Sequence, residues 1–372
     1  MNSFCLLNQS TQSAITLLNS RLSPTLDDLD HLAWAKRDPK GFVSSLGGRA
    51  IIDEIQRLPI LTVAVKYAID NENARFFMTG SSTLGLLDAA ADTLAGRIEI
   101  ISLPTACWGE DEGEAFHSIL LEDTAHPNIK EASRRLPIAL AHGQFPEVLA
   151  QESEEKKHQV LINYRNTYFT RDLMQLSNID NLEGLLAIFQ HLTRSLGSHL
   201  EVSNFAREAG ISFPTTKKYL NALQQAQLTF KLYGYQYGPA KRYIKASKTY
   251  LADNGIIHSL NAGVSDGQLV ENFVISELEK RRKLGMIPCD QFYYYRSAAG
   301  REIDLIFEMN DTVHAVEIKA TKRPGPRDFQ NLKQFQDRQK RPIKRILFYL
   351  GDEYSNIGDI RLIPIAALSK GK

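Results

Sequence analysis

The sequence predicts a multidomain α/β protein, and three observations carry that expectation. Residues 50–82 give an apolar strand, a helix and a second apolar strand, the pattern of a parallel sheet with covered faces. Residues 202–226 read as two helices about a glycine turn. Residues 301–320 read as a strand hairpin with acids set inside apolar runs. A length of 372 residues accommodates two or three such units.

Composition narrows the class. Apolar residues make up 43% and charged residues 23%, as in ordinary globular proteins. A net charge of +1 gives no global field for nucleic acid, so any basic surface must be local. Cys5, Cys107 and Cys289 are far apart and odd in number. They offer neither a metal spacing nor a disulfide framework, which fits a reducing cytoplasm. No apolar run has the length of a membrane span and no signal-peptide pattern opens the chain, so a membrane partner is not expected.

In chain order, Phe4–Leu7 reads as a short buried strand, followed by a loop and a helix around Ile15, Leu17, Leu18 and Leu22. Residues 25–48 read as an acidic stretch ending in a glycine turn. Ala50–Glu54 is a buried strand ending in two acids, 61–70 a helix of period near 3.6, and Arg75–Ser82 an apolar strand ending in small hydroxyl residues. Polar groups at the C-terminal ends of parallel strands are where ligands bind. Residues 111–185 read as mostly helical. Within 202–226 Ser212 can cap the second helix, with Pro214 early in it. Strands follow to residue 252, and Asp253-Asn254-Gly255 reads as a tight turn.

The hairpin is the most chemically legible stretch. Ile303, Leu305 and Phe307 alternate with Glu302, Asp304 and Ile306, and Asn310-Asp311 is a turn signal. Residues two apart on a strand share a face, so Glu317 and Lys319 point together and the hairpin can bring Asp304 beside them. Carboxylates and an amine inside apolar strands are costly unless paired or holding a metal. A surface hairpin with a simple salt bridge is the plain alternative.

Asp304, followed thirteen residues later by Glu317-Ile318-Lys319, resembles the PD-(D/E)XK nuclease superfamily, which includes archaeal Holliday-junction resolvases. In that pattern an upstream helix supplies another acid, and Glu271 stands at the matching place; the proline before the aspartate is replaced by Ile303. The resemblance implies Mg²⁺ held by Asp304, Glu317 and the Ile318 carbonyl, with Glu271 nearby and Lys319 orienting the attacking water.

A broader resemblance runs in order over roughly residues 50 to 320. IIDEIQRLP, FFMTGSS, DTLAGRIEIISLP, HGQFPEVL and YRNTYFTRDL are similar to a family of prokaryotic AAA+ ATPases carrying a C-terminal domain of unknown function. The resemblance makes Ala50–Glu54 the Walker B strand, with Asp53 holding Mg²⁺ through water and Glu54 activating water. It assigns Thr79 or Ser81 to a sensor position and Arg97 to an arginine near phosphate charge, and reads Arg171-Asp172 as a structural ion pair. The departure lies at Asn8–Thr16, where G-x-x-x-x-G-K-[ST] belongs: Asn8 and Ser13 replace both glycines and Ala14 replaces the lysine. Those residues cradle phosphates. Tight ATP binding and fast hydrolysis are therefore not expected.

Residues 185–252 resemble winged-helix domains. The functional reading sets Thr215, Thr216, Lys217 and Lys218 toward a DNA groove, with Lys241, Arg242 and Lys245 on phosphates; packing or self-association is the alternative. Residues 321–345 hold nine Lys or Arg, Lys322 and Arg323 first, against Asp328 and Asp337. That local excess suits phosphate, or is a solvated helix face. The full expectation is a P-loop NTPase-like parallel sheet (1–110), a helical lid (111–184), a winged helix (185–252) and a restriction-endonuclease-like α/β domain (253–372). DNA is the expected partner, and a homo-oligomer stays open. Three functions remain: a Mg²⁺-dependent nuclease on a decayed ATPase, a working nucleotide switch, or a non-catalytic scaffold.

Overall fold

The computed structural model describes residues 5–7, 24–80, 94–110, 120, 129–167, 173, 179–235 and 247–369. The chain forms two compact units, 1–104 with 172–178 and 105–171 with 179–372.

In the first unit a four-stranded sheet has the order β2-β3-β1-β4, every pairing parallel. Its strands are β1 (Cys5–Leu7), β2 (Arg49–Ile52), β3 (Arg75–Thr79) and β4 (Glu99–Ile100). The acidic stretch before β2, read from the sequence only as ending in a glycine turn, forms two helices, α1 (Leu29–Arg37) and α2 (Pro39–Ser45). Its aspartates act as caps. Asp28 accepts from the backbone N–H groups of Asp30 and His31; Asp38 ends α1 and accepts from Gly41 N–H at the start of α2, where Pro39 has no N–H that would need an acceptor. Helix α3 (Leu61–Glu72) crosses between β2 and β3, burying Leu61, Ala64, Val65, Ala68 and Ile69. The Asn8–Thr16 loop lies outside the described residues.

The second unit begins with helices α4 (Ile129–His142), α5 (Pro146–Leu149), α6 (Glu154–Thr167) and α7 (Leu182–Arg194). Next come α8 (Val202–Ala209) and α9 (Phe213–Gln225), with Gly210 in the left-handed region between them and the Ser212 hydroxyl accepting from Thr215 N–H. The expected helix-turn-helix layout is present. Strands β5 (Thr229–Gly234) and β6 (Lys248–Leu251) pair antiparallel, but they are no free-standing wing. Tyr233 and Gly234 pair in parallel with Tyr293 and Tyr294, which joins both strands to the larger sheet.

That sheet has eight strands in the order β11-β12-β10-β9-β8-β7-β5-β6. Besides β5 and β6 they are β7 (Tyr293–Arg296), β8 (Glu302–Met309), β9 (Thr312–Lys319), β10 (Ile343–Tyr349), β11 (Ser355–Ile357) and β12 (Ile360–Pro364). Asp253-Asn254-Gly255 is not a bare turn. The Asp253 carboxylate caps a short helix, α10 (Asn254–Ser259), by accepting from Gly255 N–H. Helix α11 (Asp266–Lys283) packs on β9 and is buried on every side from Asn272 to Arg281. Leu305, Phe307, Val316 and Ile318 on one sheet face meet Phe273, Val274 and Leu278 of α11, while Ile303, Ile306 and Ala315 on the other meet Leu332 of α12 (Gln330–Gln334).

Candidate active site

The ladder between β8 and β9 runs from Met309–Thr312 to Leu305–Val316 and stops. Beyond it the Asp304 carboxylate replaces the next rung: its Oδ2 accepts from Ile318 N–H at 2.8 Å. On its other edge β9 stays paired, with Glu317, Ile318 and Lys319 opposite Leu347, Phe348 and Tyr349 of β10. The two strands thus fork where the sequence carries its acids. Asp304, Glu317 and Lys319 stand together at the fork.

Helix α11 supplies Glu271 from its second turn. Ser265 and Gln268 form a reciprocal capping box, and Gln268 Nε2 also donates to the carbonyls of Arg194 (2.9 Å) and Leu196 (3.3 Å) at the end of α7. Gly197 follows, at φ +71°, where a Cβ would stand 2.8 Å from Glu271 Oε1. Only glycine fits both that backbone and that contact. Tyr250 of β6 donates its hydroxyl to Glu271 Oε1 at 2.7 Å.

Charge is crowded here. Glu317 is pushed up to about 8 by burial, then by the Asp304 and Glu271 carboxylates, against the pull of Lys319. Glu271 is pushed up to about 7 by burial and by Asp304, with Lys248 and the Tyr250 hydrogen bond opposing. Burial also raises Asp304, against Lys319, Lys248 and the Ile318 N–H. Burial draws the Lys319 amine down, yet Asp304 and Glu317 more than offset it and leave it raised. Lys319 Nζ pairs with Glu317 Oε1 at 2.8 Å. The other oxygen, Oε2, is buried with no hydrogen-bond partner.

Those features suit a hard divalent cation. An excess of buried negative charge and an unpartnered carboxylate oxygen are what such an ion relieves. Among the described residues no three His, Cys, Asp or Glu side chains cluster tightly enough to hold a metal by themselves. A metal here would rest on Asp304, Glu317 and the Ile318 carbonyl and keep waters, as Mg²⁺ commonly does.

Two further groups escaped the sequence reading. Lys248 of β6 is buried, pairs with Glu302 and lies 5.5 Å from the centre of the Tyr294 ring. Burial lowers its amine, but Glu271, Asp304 and Glu302 hold it raised. Lys248 and Tyr250 sit two apart on β6, and Glu302 and Asp304 two apart on β8. That alternation was visible in the sequence; the pairing of β5 with β7, which brings β6 alongside, was not.

The other expected positions divide. In the first unit the Thr79 hydroxyl donates to Asp53 across adjacent strands. Glu54 stands at φ 57° and accepts from Gln56, and burial, then Asp53, raises its carboxyl above the usual range. Arg97 is committed to Asp70, Nε to Oδ1 at 2.6 Å. Ser81 lies outside the described residues. In the second unit Lys217 and Lys218 are exposed on α9, whereas Thr216 is wholly buried and donates to the Ser212 carbonyl, so it cannot read a groove. Lys241, Arg242 and Lys245 lie outside the described residues. Lys322 and Arg323 are exposed just beyond β9. Two cations of the basic run serve the fold: Arg341 is paired with Asp337 and Arg345 with Asp359.

Three family matches tile the chain. The family described as AAA domain matches residues 6–110, a domain of unknown function (DUF8612) matches 133–267, and another (DUF4143) matches 266–368. Uncharacterized proteins of Mycobacterium bovis and Mycobacterium tuberculosis are each 27% identical over 300 residues, 77% of this chain and 62% of their own length. An uncharacterized protein of Methanocaldococcus jannaschii is 25% identical over 290 residues, 72% of this chain and 63% of its own. The chain thus spans under two thirds of the relatives it matches. A solved structure, protein VC1899 from Vibrio cholerae, aligns at 14% identity and a TM-score of 0.22 over 99% of this chain and 95% of its own, too slight a likeness to bear on the fold. Among the described residues no helix is long and apolar enough to cross a membrane. The AAA and DUF4143 matches together support an AAA-type ATPase-like protein with a C-terminal domain of unknown function.

Proposed function

We propose that the second unit carries a Mg²⁺-dependent phosphodiesterase centre acting on DNA, joined to an ATPase-like unit whose nucleotide binding is impaired. The observation that carries this reading is the fork between β8 and β9, with Asp304 as its rung and Glu317 Oε2 buried and unpartnered inside it. Asp304, Glu317 and the Ile318 carbonyl would hold the ion, which would supply charge stabilisation at a phosphate and a more acidic water. Lys319, at the part-exposed edge, carries the amine that would hold an attacking water in line. Glu271, fixed by Tyr250, would accept a proton from solvent near neutrality.

The test is incubation of the full chain with Mg²⁺ or Mn²⁺ and labelled duplex, single-stranded and branched DNA, beside Lys319→Ala. Cleavage by the parent and a loss of roughly a hundredfold or more in the variant is expected. Equal behaviour of the two would remove the nuclease reading and favour a non-catalytic scaffold. A nucleotide switch is the second reading. The Asp53–Thr79 hydrogen bond favours it, because that pair stands at the C-terminal edge of parallel strands.

A further inference from the structure

A cavity of about 470 Å³ opens beyond the ends of β9 and β10, walled by α4 on one side and by Lys322, Leu350, Gly351 and Asp352 on the other. From α4 it takes Lys130, Arg134 and Pro137, spaced four and three apart and so on one stripe of the helix, together with Ser133, Leu136 and Leu140. Its cations are Lys130, Arg134 and Lys322, all exposed; Asp352 is its one carboxylate. Among the described residues none of the three cations is ion-paired.

Two features make this more than a basic patch. The floor is apolar, with Leu136 buried and Leu140 and Leu350 half-buried beside the exposed cations. The wall also offers a hydroxyl without a partner. Ser133 Oγ is buried with none. Gly351 lets the Tyr349 ring pack against this wall: a Cβ there would meet that ring at 2.1 Å.

A charged rim over an apolar floor, with a hydroxyl in the wall, matches a phosphate bearing a flat heterocycle. Leu350 N–H donates to the Thr321 carbonyl at 2.9 Å, which ties the cavity to the chain leaving Lys319. Lys322 lies three positions beyond Lys319, a span of at most ~11 Å. We propose that this cavity holds one unpaired nucleotide of a nucleic-acid strand, its phosphate against Lys130, Arg134 and Lys322 and its base against the leucine floor. The assignment rests on the phosphodiesterase reading for its ligand class and adds a demand that the strand be unpaired next to the fork.

Binding is measured apart from cleavage, by fluorescence anisotropy of the full chain with labelled single-stranded and blunt duplex oligonucleotides in EDTA across a salt series. Single strands are expected to bind more tightly than the duplex. The triple variant Lys130→Ala, Arg134→Ala, Lys322→Ala should weaken single-strand binding by about tenfold and flatten its salt dependence by about 2 in log–log slope. An oligonucleotide abasic at its central positions should bind several-fold more weakly than its parent. Asp304→Asn should lose cleavage and keep this binding, which separates failure of the cavity from failure of the catalytic centre. Unchanged affinity in the triple variant, or preference for duplex, overturns the proposal. So does a free mononucleotide whose binding the triple variant abolishes while strand binding stays intact, since the cavity would then serve a small molecule.

Discussion

His314 shows what a single buried group does to the acid stability of this fold. Its ring stacks on Phe307 at 4.6 Å between centroids, and both ring nitrogens are buried without a hydrogen-bond partner. Burial, then the nearby Lys344 cation, pushes the imidazole down to about 4 from an ordinary value of 6.5. The unfolded chain therefore binds a proton that the folded one refuses between these values. Stability is complete above about pH 6.5 and falls as pH drops toward 4, by on the order of 3 kcal/mol. His314→Phe should keep the stack, remove that dependence and raise the melting temperature at pH 5 relative to the parent. Equal acid sensitivity in both proteins, followed by circular dichroism, would exclude His314 as the source.

Among the elements, α11 has the most unusual interior. Glu277 and Arg281 are wholly buried, and Lys280 and Asp253 nearly so. Lys280 Nζ bonds Glu277 at 2.8 Å, Asp253 at 2.9 Å and the Ala106 carbonyl at 3.1 Å; Arg281 bonds Glu277 at 2.6 Å and the Leu368 carbonyl at 2.5 Å. Glu277 also accepts from Trp108 N–H at 2.8 Å. Burial alone would raise the Glu277 carboxyl, but Lys280 and Arg281 hold it below its usual range. Glu277→Gln leaves two buried cations short of a counter-charge and should cost about 3–5 kcal/mol, read by urea denaturation. A loss under 1 kcal/mol would mean that water reaches the network. None of this was legible from the sequence. ELEKRRK has the charge density of a solvated helix end, and only the segments from residue 105, from Asp253 and from Leu368, remote in sequence, turn it into a core. The acids of the hairpin were legible because strand alternation is local: Asp304, Glu317 and Lys319 needed one turn to meet. Glu271 needed a resemblance, and Lys248 and Tyr250 needed a sheet topology that no local pattern announces.

At the scale of the whole molecule the two units invite opposite expectations. The first keeps the parallel order around β1 and the Asp53–Thr79 pair, yet the glycines and lysine that cradle phosphates are replaced at Asn8, Ser13 and Ala14. Calorimetric titration with Mg·ATP should show no binding at micromolar concentrations; a clear micromolar isotherm would restore the nucleotide switch. The second unit spends its polar residues differently. Parts of the sequence expected as separate wing and nuclease-like pieces share one sheet, because β5 joins β7, and the buried ion network ties α11 to the Trp108 N–H and the Leu368 carbonyl.

The fork between β8 and β9 also sets apart two acids that look equivalent in a motif. Asp304 holds up a strand edge, so a lineage that had abandoned chemistry would still need a hydrogen-bond acceptor there, and asparagine would serve. Glu317 spends one oxygen on Lys319 and leaves the other idle inside the protein, a burden with no architectural return. Erosion of a working centre would begin at Glu317, which makes it the informative position when descendants of this chain are compared.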